Sequence, residues 1–194
     1  MNKLIEKGLT TRHRILTAAT RLFADKGYEQ TSIELLLDEL AISRGALYHH
    51  FSSKEMIFEA VLEAVEVDIA KPIVGATRGI TDPVVALRTG CDAFLRMAGD
   101  ETVRQIALID APAALGWQKW REIDSRHGFG LLKASLKAAA AGGRLRADLV
   151  DNYAHILLAA LMETALVIAR SNTAAASRNG RAAVRELIER LLGM

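Results

Sequence analysis

The chain has 194 residues, of which 51% are hydrophobic and 5% aromatic, and its 25 Lys and Arg nearly balance its 23 Asp and Glu. This length is enough for one or two small domains with a hydrophobic core, and the many Ala and Leu residues favour helix throughout. The net charge of +2 excludes bulk electrostatics as an argument for nucleic-acid binding, so such a function has to be argued from local motifs.

Cysteine usage and hydropathy favour a cytoplasmic protein. Cys91 is the only cysteine, which excludes a disulfide framework within one chain and is typical of a small buried residue in a reducing compartment. The start of the chain lacks the apolar run of a signal peptide. The longest apolar stretch, residues 154–169, contains Glu163 and is short for a bilayer span, so we expect no membrane segment.

The first predicted helix runs from Thr10 to Lys26. Apolar residues recur on one of its faces with helical spacing, and Gly27 is a natural residue to end it. This face consists of Ile15, Ala18, Ala19, Leu22 and Phe23.

The next segment predicts a short helix, a tight turn and a second short helix. Thr31 followed by Glu34 has the pattern of a capping box, and apolar residues at positions 33, 36, 37 and 40 then form one face. Ser43 is the N-cap candidate of the second helix, Arg44–His50. A helix–turn–helix presents its second helix to the major groove of DNA in this way, which favours DNA binding over a generic helical hairpin.

The second short helix carries the side chains of a DNA-reading helix. Leu47 and Phe51 are left to anchor it, and the residues expected on its outside are Arg44, Ala46, Tyr48 and His49. Arg44 stands where a guanidinium can reach guanine O6 and N7, and a phosphate contact is the alternative. For Tyr48 the alternative to DNA contact is a core position.

Two sequence blocks around these helices carry a family pattern, ILTAATRLFADKGYEQTSI and SRGALYHHFSSKEMIFEAV. The residues with family spacing are Gly27-Tyr28, Thr31-Ser32, Leu47-Tyr48-His49-His50-Phe51 and Lys54-Glu55. Residues 11–63 resemble the N-terminal domain of the TetR family of transcriptional repressors. The sequence departs from the pattern at Leu37, where the family commonly has a small residue, and at Ala41, where it commonly has a turn glycine. The turn is therefore either shaped differently or strained by roughly 1 kcal/mol.

The resemblance implies which residues meet DNA. It places the Tyr48 hydroxyl, Lys54 and the helix start at Thr31 against phosphates, and Lys54 also begins a helix whose amide dipoles favour an anion. The candidate DNA-binding residues are Thr31, Ser32, Ser43, Arg44, Gly45, Ala46, Tyr48, His49 and Lys54.

The rest of the chain predicts further helices separated by Pro and Gly. Pro72 is expected to disturb the fourth helix, Asp82-Pro83 begins the fifth, and Pro112 ends the sixth. Gly128 and Gly130 are expected to kink or split the seventh. The predicted ranges are Lys54–Lys71, Asp82–Ala98, Glu101–Ala111, 116–141, Asp151–Arg170 and Ala174–Leu192.

The last two predicted helices bear on assembly. HILLAALMETALVIA is apolar nearly all round, a pattern typical of a helix buried on both sides. The residues alone allow either the last layer of a monomer core or an interface. The family resemblance implies a four-helix dimer interface from these two helices of both subunits. The interface candidates are Ala159, Met162, Leu166, Val184, Leu187, Ile188 and Leu191.

A cluster of aromatic and polar residues indicates a pocket for a small apolar or amphipathic molecule. LIDAPAALGWQKWREIDSRHGFGLL resembles a segment in one group of TetR-family effector domains. Its two tryptophans suit a core or interface position equally well. Glu163, inside an apolar helix, needs an Arg partner, a ligand or a solvated edge. The candidate pocket residues are Phe94, Met97, Asp110, Trp117, Trp120, His127, Met162 and Glu163.

No catalytic or metal-binding motif stands out. The sequence has no phosphate-cradling glycine loop, HExxH or CxxC. His49 and His50 are expected to point to different sides of a helix. We therefore predict no catalytic residues, no metal and no cofactor. An all-helical ligand-binding enzyme and a protein-interaction adaptor remain the alternatives.

The sequence thus predicts an all-α protein of about nine helices. Residues 1–54 form a helix–turn–helix DNA-binding domain, and residues 55–194 form a ligand-binding and dimerisation domain. The expected function is a ligand-responsive repressor that binds a palindromic double-stranded DNA operator as a homodimer. A small molecule would release it by binding the DNA-incompetent state better.

Overall fold

The chain is helical throughout the part that the structure describes. This structure is a computed structural model that describes residues 3–171 and 173–193, with side chains from Thr10 onward. It contains no β-strand in those ranges, which confirms the all-α class. The described residues form nine α-helices, which are α1 (Lys3–Gln30), α2 (Ile33–Leu40), α3 (Arg44–His50), α4 (Lys54–Thr77), α5 (Pro83–Arg96), α6 (Ala111–Arg126), α7 (Gly128–Ala141), α8 (Val150–Ser171) and α9 (Ala174–Leu191).

The helices are organised in two compact units. The first unit consists of Met1–Val65 and Glu101–Trp120, and the second consists of Glu66–Asp100 and Arg121–Met194. Helix α4 begins in the first unit and ends in the second. Segment 101–120 joins the first unit from later in the chain. A domain boundary at residue 54 stays a prediction.

The first unit has a core made by α1, α2, α3 and the start of α4. The fully buried rings of Phe23 and Phe58 meet edge to face with centroids 5.1 Å apart, and the ring of Tyr28 packs against both. The apolar face predicted for α1 is buried as expected. Each large apolar side chain buried here contributes about 1.5–3 kcal/mol. On α4 the buried residues are Ile57, Phe58, Val61, Leu62 and Val65.

Two of the predicted helix ends are wrong. Helix α1 begins at Lys3 rather than Thr10, although Gly27 does interrupt it with a φ of 79°. Helix α4 continues through Pro72 to Thr77. Pro72 is exposed, whereas Ile69 and Ile73 on either side of it are buried. Packing of this face therefore outweighs the hydrogen bond that proline removes.

Segment 101–126 also differs from its prediction. Residues Val103–Asp110 form a π-helix, which leads directly into α6, so no helix ends near Pro112. Pro112 therefore lies inside a continuous helical segment, where it removes one backbone donor without ending the helix. Within α6 the backbone is broken at Gly116, with a φ of 74°. π-Helical turns are rare and occur frequently at functional sites.

The second unit packs α5, α7, α8 and α9 together. Asp92 on α5 accepts two hydrogen bonds from Arg181 on α9, at 2.6 and 2.9 Å, and Arg88 lies 2.6 Å from Glu189. The predicted split near Gly128 is confirmed, because α6 ends at Arg126 and α7 starts at Gly128.

Helix α8 is not buried all round within the protomer. Ile156 is 58% exposed and Val167 48% exposed, while the opposite face is buried. Residues 147–171 form the one helix in the described chain that is long and apolar enough to cross a membrane, with 39% of its most apolar window buried. Length and composition of this kind also characterise the core helices of soluble proteins, so this helix is weak evidence for a membrane span.

Candidate nucleic-acid interface

The turn between α2 and α3 is left-handed at Ala41. This residue has φ 50° and ψ 47°, and it is the only non-glycine residue with positive φ in the described chain. The sequence left open whether the turn keeps its shape without glycine. It does keep the left-handed shape, so the strain of an alanine in that conformation is tolerated.

Ser32, rather than Thr31, caps α2. Ser32 Oγ accepts a hydrogen bond from the N–H of Leu35 at 3.1 Å. Thr31 is fully buried and its hydroxyl donates to the carbonyl oxygen of Gly27 at 2.8 Å. The capping box predicted from Thr31 and Glu34 is therefore wrong. Thr31 is also wrong as a side-chain contact with DNA, because its hydroxyl does not reach the surface.

Helix α3 has the predicted range and the predicted anchor. Ser43 Oγ accepts the N–H of Ala46 at 3.2 Å, which starts the helix, and Leu47 is fully buried beneath it. Tyr48 is 41% exposed, so it is not a core residue. Gly45 has open space where a Cβ would stand. The outward surface of α3 is therefore formed by Arg44, Gly45, Tyr48 and His49, with Ala46 half-buried.

Arg44 is held by a carboxylate of the preceding helix. Its Nη2 donates to Glu34 Oε1 at 2.6 Å, and both side chains are exposed. The backbone N–H of Glu34 and the guanidinium of Arg44 stabilise the carboxylate and hold the pKa of Glu34 below its ordinary value. A guanidinium has five N–H donors, so this bond leaves donors for a base edge or a phosphate.

Lys54, at the start of α4, is anchored on Tyr28. Its Nζ donates to the Tyr28 carbonyl oxygen at 3.0 Å and lies 4.0 Å from the centre of the Tyr28 ring. Burial and the carboxylates of Glu55 and Glu29 raise the pKa of Tyr28, so the phenol is neutral at physiological pH. The ammonium has three donors, so this anchoring is compatible with a phosphate contact.

His49 and His50 lie closer together than expected. Their ring centroids are 5.2 Å apart in an edge-to-face arrangement, so the prediction that they point to different sides of the helix is wrong. No group of three or more His, Cys, Asp or Glu side chains suited to a metal ion occurs in the described chain.

The candidate pocket residues are divided between the two units. In the first unit, Trp120 is buried and Trp117 is 64% exposed, with their rings 5.2 Å apart. Asp110 is occupied by protein groups, since it accepts hydrogen bonds from the Tyr28 N–H at 2.7 Å and from Gln105 at 3.1 Å. Asp110 thus joins α1 to the π-helix, and its place in a pocket stays a prediction.

The other five pocket candidates lie in the second unit. Phe94, Met97, His127 and Met162 are half-buried there, and Glu163 is exposed, which satisfies its charge at a solvated edge. A surface depression of about 400 Å³ between α7 and α8 contains none of them. Its lining consists of Lys137, Ala140, Ala141, Ala147, Asp148, Val150 and Asp151.

Sequence reasoning missed a buried ion pair in the second unit. Arg121 Nη1 lies 2.6 Å from Asp124 Oδ2, and the backbone N–H of Phe129 donates to the other carboxylate oxygen at 3.3 Å. Burial raises the pKa of Asp124, although Arg121 opposes this shift. This carboxylate ties the end of α6 to the start of α7. The only sequence signal was an Arg and an Asp three residues apart on a helix.

The dimer-interface candidates separate into two groups. Val184 and Ile188 are buried in the second unit, so they are wrong as interface residues. They lie four residues apart on α9 and share its inner face. Leu187 is 42% exposed. Of the remaining candidates, Ala159 is exposed and Met162, Leu166 and Leu191 are half-buried.

Cys91 is the small buried residue that the sequence indicated. Its burial raises the pKa of the thiol to about 12, so the thiol stays protonated at neutral pH. A protonated buried thiol is a poor nucleophile.

Comparison with known proteins identifies the family. Residues 84–191, more than half of the chain, match the family model described as the tetracyclin repressor-like C-terminal domain. Residues 15–61 match the model of the bacterial regulatory proteins of the tetR family. The chain belongs to the TetR family. It is a TetR-family transcriptional regulator, and residues 15–61 contain the helix–turn–helix described above.

Individual relatives agree with this TetR assignment. UidR, an HTH-type transcriptional regulator of Escherichia coli strain K12, is 39% identical over 62 residues, which are 32% of this chain and 32% of that protein. AcnR, an HTH-type transcriptional repressor of Corynebacterium efficiens, is 24% identical over 95% of this chain and 93% of its own length. A TetR-family regulator from Pectobacterium atrosepticum has a crystal structure that superposes with a TM-score of 0.75 and 26% identity, covering 100% of this chain and 99% of that one.

Proposed function

We propose that this TetR-family regulator is a ligand-responsive repressor that binds a palindromic operator as a homodimer. Two copies of α3 would enter successive major grooves, about one helical turn apart. A small apolar or amphipathic molecule would bind the second unit and favour a state that fits the operator poorly. The name of the relative AcnR supports repression over activation. We propose a cytoplasmic location because the chain belongs to a family of bacterial regulators that act on DNA.

The surface of α3 carries this proposal. Arg44, Tyr48 and His49 are exposed on a seven-residue helix whose inner face is fixed by Leu47. A helix this short adds little to a core. Its exposed cationic and aromatic side chains are therefore best explained as a recognition surface. Ser43 uses its oxygen as an acceptor in the cap of α3, which leaves its hydroxyl hydrogen for a phosphate. Ser32 caps α2 in the same way, and its side chain also bonds to Glu34.

The exposed apolar residues of α8 and α9 support the dimer. Ile156, Val167 and Leu187 are each more than 40% exposed in a single protomer. Contact between copies would remove these residues from water, and apolar patches of this kind typically mark interfaces. Ala159 on the same exposed side of α8 has a small side chain that allows close approach.

Ligand binding is proposed for the second unit. Phe94, Met97 and Met162 are only half-buried there, so apolar surface is available to an apolar or amphipathic molecule.

Selection from a random pool of duplexes tests the DNA-binding part. The full chain is expected to enrich a palindrome with half-sites about one helical turn apart. Arg44→Ala should weaken binding to the selected duplex about tenfold or more and relax one base position. Arg146→Ala, which removes an exposed arginine of the second unit, is the matched control and should bind normally. Equal weakening on every duplex would assign Arg44 to a phosphate, and failure to enrich any duplex would contradict the proposal.

A further inference from the structure

We infer that Asp110 is a positioning residue for DNA binding, which acts through the backbone of Tyr28 on Lys54 and on the start of α2. The inference rests on the proposed function, in which Lys54 contacts a phosphate. Asp110 is the last residue of the π-helix and lies 82 positions from Tyr28 in the chain. Its Oδ2 accepts the Tyr28 N–H at 2.7 Å, and its Oδ1 accepts Gln105 Nε2 at 3.1 Å.

The first connection runs through the peptide group between Gly27 and Tyr28. Its N–H donates to Asp110, and its carbonyl oxygen accepts the Thr31 hydroxyl at 2.8 Å. Hydrogen bonds on the two sides of one peptide group polarise each other, so the carboxylate strengthens the bond to Thr31. Thr31 directly precedes Ser32, the N-cap of α2. Asp110 therefore helps to fix the residue from which α2 starts.

The second connection runs through the Tyr28 carbonyl group. This oxygen accepts Lys54 Nζ at 3.0 Å, and the same ammonium lies over the Tyr28 ring. Both backbone polar groups of Tyr28 are thus held, one by Asp110 and the other by Lys54. Lys54 is the first residue of α4, and the amide groups at a helix start also favour a phosphate. A shift of Tyr28 would move the ammonium away from that position.

The π-helix and the backbone of α1 at Gly27 lie close together. Gly27 has a φ of 79°, a conformation that side-chain-bearing residues rarely adopt. A Cβ at Gly27 would lie 3.2 Å from Gln105 Nε2 and 3.5 Å from Asp110 Oδ2. The absence of a side chain at this position therefore lets the π-helix reach the backbone of the helix–turn–helix unit.

The salt dependence of binding to a fixed 30-base-pair duplex of arbitrary sequence tests this inference. Non-specific binding depends on phosphate contacts, so each lost contact lowers the slope of log affinity against log salt by about one. Lys54→Ala and Asp110→Ala are each expected to lower the slope by about one, and the double variant should lower it no further. Asp110→Asn keeps a carbonyl oxygen for the Tyr28 N–H and should retain most of the wild-type slope.

Glu101→Ala is the matched control, since it removes an exposed carboxylate from the same segment. It should leave the slope unchanged. A second readout is independent of DNA and of any variant, because the amide hydrogen of Tyr28 in the wild-type full chain should exchange slowly with solvent. Fast exchange at Tyr28 would overturn the inference even if Asp110→Ala does not fold.

The remaining outcomes separate the inference from the proposed function. If Lys54→Ala lowers the slope and Asp110→Ala does not, or if the two losses add, Asp110 has no positioning role and the proposed function stands. If the wild-type chain shows no salt-dependent binding to any duplex, both the inference and the proposed function are wrong.

Discussion

The guanidinium of Arg44 on α3 is hydrogen-bonded to the carboxylate of Glu34 on α2 at a distance of 2.6 Å. The bond crosses the turn of the helix–turn–helix and joins the two helices on their exposed side. DNA that is to be read by Arg44 must share or replace this carboxylate. We therefore expect Glu34 to oppose contact between Arg44 and phosphates, because a phosphate offers the guanidinium the same kind of charge-assisted bond.

Removal of this competition should raise affinity for non-specific DNA. Glu34→Gln takes away the carboxylate charge, and we expect binding to an arbitrary duplex to tighten about two- to fivefold at low salt, the range set by exposed ion pairs. Fluorescence anisotropy with a labelled duplex measures the change. The preference for the selected operator over the arbitrary duplex should fall.

The matched control for this prediction is Glu39→Gln. Glu39 lies on the same helix and pairs with Arg21, so its loss changes net charge equally without touching Arg44. The prediction concerns the gain in affinity for the arbitrary duplex that Glu34→Gln shows beyond the gain of this control. That excess should disappear in an Arg44→Ala background, and its persistence there would show that Glu34 acts in some other way.

Glycine in place of Ala41 in the left-handed turn should stabilise the fold. An L-residue in this conformation costs about 1–2 kcal/mol, and the entropy that glycine loses on folding takes back about 0.5–1 kcal/mol. Ala41→Gly is therefore expected to raise the free energy of unfolding by about 0.5–1 kcal/mol. Ala64→Gly, at an exposed position inside α4, should lower it by about 1 kcal/mol. Denaturant unfolding measures the free energy of unfolding of both variants. If Ala41→Gly also lowers it, the backbone at Ala41 is not strained.

Local patterns in the sequence predicted α2, α3 and the core beneath them well. Leu36 and Leu40 recur at helical spacing on α2 and are buried, whereas Ile33 and Leu37 of the same predicted face are half-buried. Leu47 is buried beneath α3, as its role as an anchor requires. Ser43 caps α3 as its type and position indicate. These features depend on residues only a few positions apart, so periodicity and capping rules are enough to find them.

Features that depend on distant contacts could not be predicted. The structural role of Asp110 depends on Tyr28, which lies 82 positions away, so no local pattern indicates it. Thr31 fits an N-cap by its type and position, yet its hydroxyl bonds inward to the end of α1. Pro72 does not end α4, because burial of its neighbours outweighs its helix-breaking effect. Each error reflects tertiary packing that a local pattern does not contain.

Asp92 should make stability depend on pH in the acidic range. Partial burial disfavours its charge, but hydrogen bonds from Arg181 and Arg96 outweigh this and hold the pKa of Asp92 below its ordinary value. A carboxyl with a lowered pKa in the folded state stabilises the fold above its unfolded pKa of about 3.9, and this contribution is lost as pH falls through the folded pKa.

Thermal unfolding of Asp92→Asn measures this contribution. The variant is expected to have a lower Tm than the wild type at pH 7, and the difference should narrow as pH falls below about 4. Glu186→Gln, which removes an exposed carboxylate paired with Arg190 on α9, is the control and should show little difference at any pH. A Tm difference for Asp92→Asn that does not depend on pH would contradict the ionic origin of the effect.

Adjacent residues of α9 allow a sharp test of the dimer. Leu187 is 42% exposed in the protomer, whereas Ile188 next to it is fully buried. A charge at Leu187 stays in water in the monomer but loses it in a dimer built on α8 and α9, at a cost of several kcal/mol. Leu187→Glu is therefore expected to give folded monomers. A charge at Ile188 would be buried even in the monomer, so Ile188→Glu should unfold the protomer itself.

Sedimentation and circular dichroism together separate these outcomes. For Leu187→Glu we expect a sedimentation coefficient of a monomer, an unchanged helical spectrum and weak operator binding, because one α3 contacts only half of a palindrome. Ile188→Glu should instead lose helical signal. Ala159→Glu, on the exposed side of α8, should behave like Leu187→Glu. If Leu187→Glu and Ala159→Glu both remain tight dimers with normal operator affinity, the dimer must be formed by a different surface, and the exposed apolar residues of α8 would need another partner.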